Sequence, residues 1–392
     1  MKKVIRTLKT NPLLLPLLCL ANLILFVTDL LATIGKRKIY PNKICILKLD
    51  KIGDYILLRN YVLELRNLDP FKGHEITLIA NSQNKPFIEF LDKDAFTDFI
   101  WVDIYKYSTN LMYRFNLSRK IYQAGFQTSI DPTYARVLVL DDYITFVTRA
   151  PVRIGQRAHL INIKSWERYI GNHFYTCVIN STEKIIFEFE RNRAFFQVMT
   201  GVDLSYIQLH IKPPENTHPY AEKYAVIFPG AADQFRQWAP MNFAKVIGYL
   251  VSNKNIDAIL CGSPAENSIG KQIVENSNHP EKIRNEIGIL RIAELFNRYH
   301  HASYIITNET GAAHIGAAMN KIVFVVSNGN HFKKCTEYPV SLGKNIHYIY
   351  PKEIDALMPQ YDLIASKYDI KSNLDINTIP VEKVIACIIE NT

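Results

Sequence analysis

Short apolar runs separated by helical patterns recur along this 392-residue chain, and no other feature constrains its fold as strongly. Runs at 43–49 and 75–80 flank a helical pattern at 55–68, shorter elements follow, and a further helical region covers 183–200. The second half repeats the alternation with four compact apolar runs, at 224–228, 257–261, 304–307 and 322–326. Apolar strands that alternate with helices indicate βαβ units, in which a parallel sheet is buried on both faces.

A polar, proline-bearing stretch at 212–219 divides the chain, because prolines disfavour both helix and central strand. The length exceeds that of a usual single-core domain, and 48% hydrophobic residues with 16 Gly and 18 Pro argue against disorder. We therefore predict an α/β protein with two Rossmann-like, doubly wound domains that face each other across a cleft. Their predicted limits are 39–211 and 220–392, with 212–219 as the linker.

The segment 1–38 has the composition of a membrane-associating helix. An uncharged, leucine-rich stretch at 10–28 has basic flanks, which are Lys2, Lys3, Arg6 and Lys9 on one side and Lys36, Arg37 and Lys38 on the other. The stretch approaches the ~20 residues needed to span a bilayer, but two prolines, Asn22 and Asp29 weaken a spanning helix, and no signal-peptide cleavage site follows. We expect a peripheral or monotopic, in-plane anchor on anionic lipids at the cytoplasmic face of the inner membrane. A single span and a helix packed on the protein's own core are the alternatives.

The net charge of +9 suits nucleic acid, anionic lipid or a phosphorylated substrate as a partner. Much of this charge lies beside the apolar N-terminal stretch, and neither an aromatic-interleaved basic groove nor a nucleic-acid module is visible. We therefore predict no nucleic-acid partner.

Metal-binding patterns are missing from the sequence. The six cysteines are scattered, with no CxxC pair and no histidine at metal-ligand spacing, so we expect reduced, mostly buried thiols and no structural zinc. Cys45 and Cys261 fall within apolar runs, where a free cysteine behaves as a small hydrophobic residue. The adjacent acids Asp141 and Asp142 are interpreted as a solvated pair in a loop. We predict no metal site.

Gly53 and Asp54 stand where the first apolar run gives way to a helical pattern. In an α/β sheet this point lies at the carboxyl edge, where ligands collect, and glycine lets the backbone turn closely enough for the next side chain to face the crevice. Asp54 is therefore the first candidate for a catalytic carboxylate. The alternative is that Asp54 caps the helix beginning near Tyr55, because aspartate is a favoured N-cap residue.

Two loops in the second half carry groups suited to a diphosphate. After the run at 224–228, Gly230 opens a turn and Arg236 offers a guanidinium that can bind phosphate oxygens in bidentate fashion. After the run at 304–307, Thr310 and Gly311 precede an apolar helix, whose N-terminus is a natural pyrophosphate site, and His314 adds a side-chain donor. The alternatives are a surface loop with an incidental arginine and a structural histidine.

In combination these segments resemble glycosyltransferase family 9, the heptosyltransferase family of lipopolysaccharide and surface-glycan synthesis. The resemblance runs from about residue 43 to about residue 339. Residues 49–54 are similar to the family's opening motif, in which the aspartate after the glycine is the proposed base, and residues 228–238 resemble its nucleotide-sugar loop. His314 matches the histidine of the third motif. Two further segments agree, 149–155 and 261–266, and in the second the family often carries a glutamate for the ribose, here Glu266.

The resemblance implies a GT-B fold, with an acceptor domain up to about residue 210 and a nucleotide-sugar domain after the linker. It implies inverting, metal-independent transfer of heptose or a related sugar to a lipopolysaccharide, lipid-linked or other surface glycan, with no cofactor besides the nucleotide-diphosphate sugar. Asp54 would take the proton of the acceptor hydroxyl. The expected nucleotide-sugar residues are Gly230, Arg236, Glu266, Glu309, Thr310, Gly311 and His314. Those expected to hold an anionic acceptor are Lys51 and Arg59, with Lys48 beside them.

Three positions depart from the usual residues of the family. Glu309 stands where aspartate is usual, Ala312 replaces a frequent proline, and Arg236 stands where lysine is usual. The longer carboxylate and the forked guanidinium accommodate a different sugar or diphosphate pose, which leaves the donor open. The competing interpretations are a nucleotide-sugar 2-epimerase of the same architecture, and a non-catalytic glycan-binding or scaffold protein.

Overall fold

The computed structural model of the chain describes residues 15–213, 220, 222–369 and 372–392. Within them, strands β1 to β12 are Tyr40–Lys48, Glu75–Asn81, Asp98–Val102, Phe126–Asp131, Val152–Gln156, Cys177–Ile179, Tyr224–Phe228, Asp257–Leu260, Ile283–Asn285, Tyr304–Asn308, Val323–Val326 and Ile346–Ile349. Helices α1 to α15 are Leu15–Ala32, Ile52–Leu65, Lys85–Asp92, Ile104–Thr109, Leu111–Gln123, Tyr143–Thr148, Ser165–Asn172, Glu188–Thr200, Pro240–Lys254, Asn267–Glu275, Ile292–His301, Gly311–Ala318, Lys352–Asp355, Tyr361–Tyr368 and Val381–Glu390.

The strands form two six-stranded parallel sheets of the same topology. The first has the order β3-β2-β1-β4-β5-β6 and the second the order β12-β11-β10-β7-β8-β9. In each sheet the chain moves outward from a central strand, then returns to the other side of that strand and moves outward again. This is the doubly wound arrangement that the alternation of apolar runs and helices predicts, and it places a crevice at the carboxyl ends of the central strands.

By its contacts the chain forms two compact units, neither of which is continuous in sequence. The first unit contains Met1–Lys51, Val62–Glu183 and Ala194–Asp203, and the second contains Ile52–Tyr61, Lys184–Arg193 and Leu204–Thr392. The start of α2, which follows the first sheet's central strand, therefore groups with the second sheet. Most of the predicted linker, 214–219, lies outside the described residues.

Helix α1 is fixed to the first unit by a buried ion pair. The Asp29 carboxylate accepts hydrogen bonds from Nε and Nη2 of Arg114, at 2.9 and 2.5 Å, and from Oγ of Ser118 at 2.7 Å. Burial raises the pKa of Asp29, although the guanidinium of Arg114 opposes that rise. Removing one partner of such a pair leaves an uncompensated buried charge, which costs roughly 3–5 kcal/mol.

The opposite side of α1 is apolar and exposed to solvent. Its exposed large side chains are Leu17, Leu20, Leu23, Ile24, Val27, Leu30 and Leu31, each more than 40% exposed. The packed side is aromatic and includes Phe26, whose ring lies 5.0 Å from that of Phe146. Packing on the protein's own core thus accounts for one face of the helix and not for the other. In the described part of the chain, no helix combines the length and the apolar character needed to cross a membrane. Residues 1–14 of the predicted anchor lie outside the described residues.

The expectation that Asp141 and Asp142 form a solvated pair in a loop is wrong. They end a π-helical turn, Leu138–Asp142, and are 4% and 0% exposed. Asp142 accepts hydrogen bonds from Nη1 of Arg136 at 2.7 Å and from the hydroxyl of Tyr175 at 2.9 Å. Burial raises the pKa of Asp142 to about 6, while Arg136 opposes the rise. The buried arginine supplies the compensation that makes these acids structural.

The cysteines agree only in part with the prediction. All six are free; Cys45 and Cys261 are buried, whereas Cys19 and Cys177 are exposed. Burial raises the pKa of the Cys45 thiol to about 12, so this thiol stays protonated and inert at neutral pH.

Candidate active site

The predicted nucleotide-sugar residues meet at the carboxyl edge of the second sheet. Asn308, the last residue of β10, joins two of the loops there: its Nδ2 donates to the carbonyl of Pro229 at 2.6 Å, and its Oδ1 accepts from the backbone N–H of Trp238 at 3.2 Å. Asn308 is completely buried. The sequence analysis did not single it out, although its position at the end of an apolar run was the available signal. This side chain holds the loop containing Arg236 against the end of β10.

Arg236 lies in a short 3-10 helix and is only 7% exposed. Its Nη1 donates to the carbonyl and to Oε1 of Glu309, at 3.3 and 3.4 Å, and its Nη2 donates to Asp233 at 3.2 Å. Its buried Nε has no hydrogen-bond acceptor among the described residues. A buried guanidinium N–H without an acceptor carries a desolvation cost that an anionic ligand oxygen would relieve.

Glu309 is the centre of a buried hydrogen-bond network. Besides Arg236, its carboxylate contacts Nδ1 of His331 at 2.9 Å and accepts from Oγ of Ser327 at 3.2 Å. Ser327 and His331 follow β11, so three neighbouring strands contribute to this network. His331 and Ser327 were missed in the sequence, where the run at 322–326 received no site residue after it.

Thr310 and Gly311 form the N-terminus of α12. Thr310 is the N-cap, and its hydroxyl accepts the backbone N–H of Ala312 at 3.2 Å. The threonine hydroxyl is therefore used within the helix start, and Gly311 supplies the first N–H of the helix. Such N–H groups and the positive end of the helix dipole favour an anion.

His314 lies on the first turns of α12, 8% exposed, with its Nδ1 2.7 Å from the hydroxyl of Tyr338. Burial, with a smaller contribution from the nearby His331, lowers the pKa of His314 to about 4. The imidazole is therefore neutral at physiological pH. When Tyr338 donates to Nδ1, the ring proton is carried by Nε2, which can then donate to a ligand oxygen. Tyr338 was not found from the sequence.

The segment with the predicted base packs directly on the start of α12. A side-chain carbon at Gly53 would lie 2.9 Å from Cδ2 and 3.5 Å from Nε2 of His314. A side-chain carbon at Gly311 would lie 2.9 Å from Cγ2 of Ile52. Both glycines therefore permit a close approach of two helix starts, α2 and α12, within the second unit.

Asp54 does not cap its helix. Helix α2 begins at Ile52 with Lys51 as its N-cap residue, so Asp54 is inside the first turn, and the capping alternative is wrong. Asp54 is half-buried. The pKa of the Lys334 ammonium is raised above its ordinary value. Burial alone would lower this pKa, but nearby titratable groups outweigh burial, and these groups are Cys335, Glu188, Asp54 and Asp369. Lys334 is a cation near Asp54 that the sequence analysis missed.

Glu266 reaches the glycine turn after β7. Its Oε2 accepts from the N–H and the hydroxyl of Ser263, at 2.6 and 3.1 Å, which forms a capping box at the start of a short helix. A side-chain carbon at Gly230 would overlap the Glu266 carboxylate. The absence of a side chain at Gly230 is therefore what lets Glu266 lie at this loop.

The predicted acceptor residues have different surroundings. Lys51 is exposed. Arg59 is buried, and its Nη1 donates to the carbonyl of His210 at 2.5 Å, so its guanidinium is engaged inside the protein. Lys48 is 1% exposed and pairs with Asp50 at 2.8 Å. Of the three, Lys51 alone is presented to solvent.

No group of three or more His, Cys, Asp or Glu side chains is arranged to hold a metal ion within residues 15–213, 220, 222–369 and 372–392. Metal-independent chemistry stays a prediction.

Comparison with known proteins gives a family match. The family model described as Glycosyltransferase family 9 (heptosyltransferase) matches residues 134–333, just over half of the chain. No curated protein matches the chain in sequence.

Solved structures match over most of the chain. A glycosyl transferase family 9 protein from Veillonella parvula DSM 2008 is similar with a TM-score of 0.68 and 17% identity, over 90% of this chain and 97% of that chain. The E. coli heptosyltransferase WaaC with ADP is similar with a TM-score of 0.61 and 15% identity, over 89% of this chain and 100% of that chain. The E. coli ADP-heptose lps heptosyltransferase II is similar with a TM-score of 0.61 and 14% identity, over 89% of this chain and 99% of that chain. This likeness confirms the predicted GT-B fold.

Proposed function

This chain belongs to glycosyltransferase family 9, the heptosyltransferase family, and is a nucleotide-sugar glycosyltransferase; we propose that it moves heptose or a related sugar to a lipid-linked surface glycan, with Asp54 as general base. One observation carries the assignment of the base. The segment containing Asp54 packs on the start of α12, where Gly53 faces His314 and Gly311 faces Ile52. A carboxylate and a set of anion-binding N–H groups therefore come together in one compact unit.

The proposed reaction is a direct displacement with inversion at the anomeric carbon. The acceptor oxygen forms the new bond to that carbon, the bond from the carbon to the donor diphosphate breaks, and Asp54 takes the proton of the acceptor hydroxyl. The nucleoside diphosphate leaves with the bonding electron pair. We propose that Arg236, the N–H of Gly311 and the neutral His314 donate hydrogen bonds to its oxygens and so stabilise the developing charge.

The donor is proposed to be a nucleotide-diphosphate sugar of the ADP-heptose class. Two of the similar structures are described with ADP or with ADP-2-deoxy-2-fluoro heptose, both for the E. coli enzyme WaaC. In this chain Arg236 and Glu309 replace the usual lysine and aspartate of the family and contact each other. Because this pair lies at the expected diphosphate and sugar position, it is the first place to look for altered donor choice.

The proposed location is the cytoplasmic leaflet of the inner membrane, with α1 lying in the plane of the bilayer. The exposed apolar side of α1 supports this location, because its seven exposed aliphatic side chains form a contiguous apolar patch, and such a patch marks an interaction site. Ile34, 61% exposed, and the exposed Lys36 and Lys38 extend the surface beyond the helix with the charge that anionic head groups attract. A lipid-linked acceptor would then be reached without leaving the membrane.

Two linked measurements test the proposed function. A thermal-shift screen of the purified chain against ADP-, GDP-, UDP- and CDP-sugars, with EDTA present, should show a rise in melting temperature for one nucleotide class, because a ligand bound only by the folded state stabilises it. With the identified donor, Asp54→Asn should keep this shift while transfer falls by ~100-fold or more. The matched control is Asp94→Asn, which removes an exposed carboxylate of the first unit. Normal turnover in the Asp54→Asn protein would remove Asp54 as the base.

A further inference from the structure

A small cavity lies at the carboxyl edge of the first sheet. Its volume is about 80 Å³, and its polar lining consists of Tyr134, Arg157, His159, Arg168, Ser181 and Glu183. Three of the lining segments directly follow the ends of neighbouring strands β4, β5 and β6, and Arg168 comes from α7. Ligands of open α/β sheets bind at this edge.

Backbone hydrogen bonds fix the walls of the cavity. The N–H of Arg157 donates to the carbonyl of Ile179 at 2.8 Å, which prolongs the pairing of β5 with β6. The N–H of His159 donates to the carbonyl of Tyr134 at 2.8 Å, and the two rings lie 5.0 Å apart. Tyr134 is 7% exposed. Backbone hydrogen bonds therefore fix the chain segments that carry the lining side chains of the cavity.

The two arginines of the cavity are not neutralised. Among the described residues, neither the Arg157 nor the Arg168 guanidinium has a hydrogen-bond or ion-pair partner, although both are half-buried. Two fully buried arginines of this unit differ, because Arg114 and Arg136 each pair with an aspartate. Glu183 is the one carboxylate in the cavity lining and is exposed. Partly desolvated guanidinium groups without counter-charges favour an anion, which Arg binds with a two-pronged geometry.

We propose that this cavity binds one oxyanion of the acceptor, a phosphate or carboxylate group, held between Arg157 and Arg168. The inference rests on the proposed function for the identity of the acceptor, and it adds the place where an anionic group of that acceptor binds. The volume equals the liquid volume of only a few water molecules, which suits a single oxyanion. The Arg59 guanidinium differs from these two, because it already donates to the backbone carbonyl of His210.

The test uses inorganic phosphate and acetate as probes of the full chain. Isothermal titration calorimetry should show phosphate binding that weakens about tenfold or more in the Arg157→Gln, Arg168→Gln double variant, as expected for two lost charge-assisted hydrogen bonds. The Arg157→Lys, Arg168→Lys variant should retain part of the affinity, since it keeps the charge without the fork. The matched control is Arg291→Gln, which removes an arginine whose side chain is 85% exposed.

Phosphate can also bind in the second unit, so Arg236→Gln is measured in parallel and should leave the cavity binding intact. Stronger binding of phosphate than of acetate assigns a phosphorylated acceptor, and the reverse order assigns a carboxylate. Unchanged phosphate affinity in the double variant, or its loss in Arg236→Gln alone, overturns the proposal. If the double variant does not fold, the single Arg168→Gln variant, on the outer helix α7, gives the same decision.

This result is separable from the proposed function. The thermal shift with nucleotide sugars should be the same for the double variant and the wild type, because the variant changes the first unit alone. A wild type that binds phosphate in the cavity and shows no shift with any nucleotide sugar would count against the proposed function and not against the cavity. A wild type that shows a shift with a nucleotide sugar but binds neither phosphate nor acetate would count against the cavity and not against the proposed function.

Discussion

Gly53 and His314 lie so close that a side-chain carbon on the glycine would stand 2.9 Å from the imidazole. His314 cannot easily yield, because it is buried and its Nδ1 is held by the hydroxyl of Tyr338 at 2.7 Å. The position of Asp54, one residue further on, therefore depends on the absence of a side chain at residue 53. The glycine of the sequence motif serves contact with a second helix as much as the turn after a strand.

Gly53→Ala is expected to impair transfer more than folding. Inserting a methyl group into this packed contact forces backbone and side-chain shifts, which typically cost about 1–3 kcal/mol of folding stability. The same shifts should move Asp54 away from α12. We expect kcat/KM to fall by about tenfold or more, since small misplacements of catalytic groups have large effects. The control is Gly248→Ala in α9, where a side-chain carbon meets no atom within 4 Å. That variant should keep full activity and gain up to about 1 kcal/mol in stability.

His314 should make stability depend on pH below neutrality. Its pKa is about 4 in the folded protein against 6.5 ordinarily, so between these values the unfolded chain binds a proton that the folded chain does not. The stability that the neutral imidazole contributes is fully present above pH 6.5 and declines as pH falls towards 4, by about 3 kcal/mol in total.

Urea unfolding across this pH window measures the effect, and His314→Gln isolates it from other groups. The variant should lack this part of the decline, whereas buried Asp142, whose pKa is raised to about 6, stabilises the fold as pH falls and acts equally in both proteins. Parallel stability curves for the two proteins would show that His314 is not neutral and buried in solution.

Arg236 and Glu309 are expected to act as a pair in donor binding. Arg236→Gln should weaken binding of the identified nucleotide sugar by about tenfold to a hundredfold, because it removes charge-assisted hydrogen bonds to the diphosphate. The Arg236→Lys, Glu309→Asp double variant carries the usual residues of the family. Its loss of binding free energy for the nucleotide sugar should be smaller than the sum of the losses in the Arg236→Lys and Glu309→Asp single variants. Additive losses in this double-mutant cycle would show that the pair is not coupled.

Local sequence patterns predicted the strands and helices well, because a parallel sheet that is buried on both faces produces continuous apolar runs in the sequence. The run at 224–228 coincides with β7, Tyr224–Phe228, while the helix predicted at 55–68 is Ile52–Leu65. The early start was missed because Asp54 was considered as the cap, whereas Lys51 is the N-cap residue and its side chain makes no capping hydrogen bond.

Long-range pairings could not be predicted from one sequence. Burial of Asp142 depends on Arg136 and on Tyr175, which is distant in the chain, and no local pattern distinguishes that pair of acids from a solvated one. Tyr338 beside His314 and Lys334 near Asp54 were missed for the same reason. Arg236 and Thr310 were proposed because a general rule places ligand groups after strand ends, yet Asn308 and Ser327 at two such ends were missed. The rule gives the edge of the sheet and not which side chains pair there.

The exposed side of α1 gives the last prediction. The Leu20→Gln, Leu23→Gln, Leu31→Gln variant removes three exposed aliphatic side chains and leaves the buried Asp29–Arg114 pair, so the helix should remain folded on the first unit. Co-sedimentation with phosphatidylcholine vesicles containing phosphatidylglycerol should capture the wild type and release most of this variant. Binding should also weaken with added salt, because Lys36 and Lys38 contribute through screened charge.

The matched control for this surface is Ile289→Gln with Val340→Gln, which removes exposed aliphatic side chains of the second unit, 72% and 80% exposed. That control should bind vesicles as the wild type does. Equal binding by wild type and the α1 variant would show that the apolar side of α1 is not the membrane surface. If the wild type does not bind the vesicles and instead dimerises through the same leucines, that side of α1 is the contact with a second copy of the chain. Large exposed apolar patches mark interaction sites.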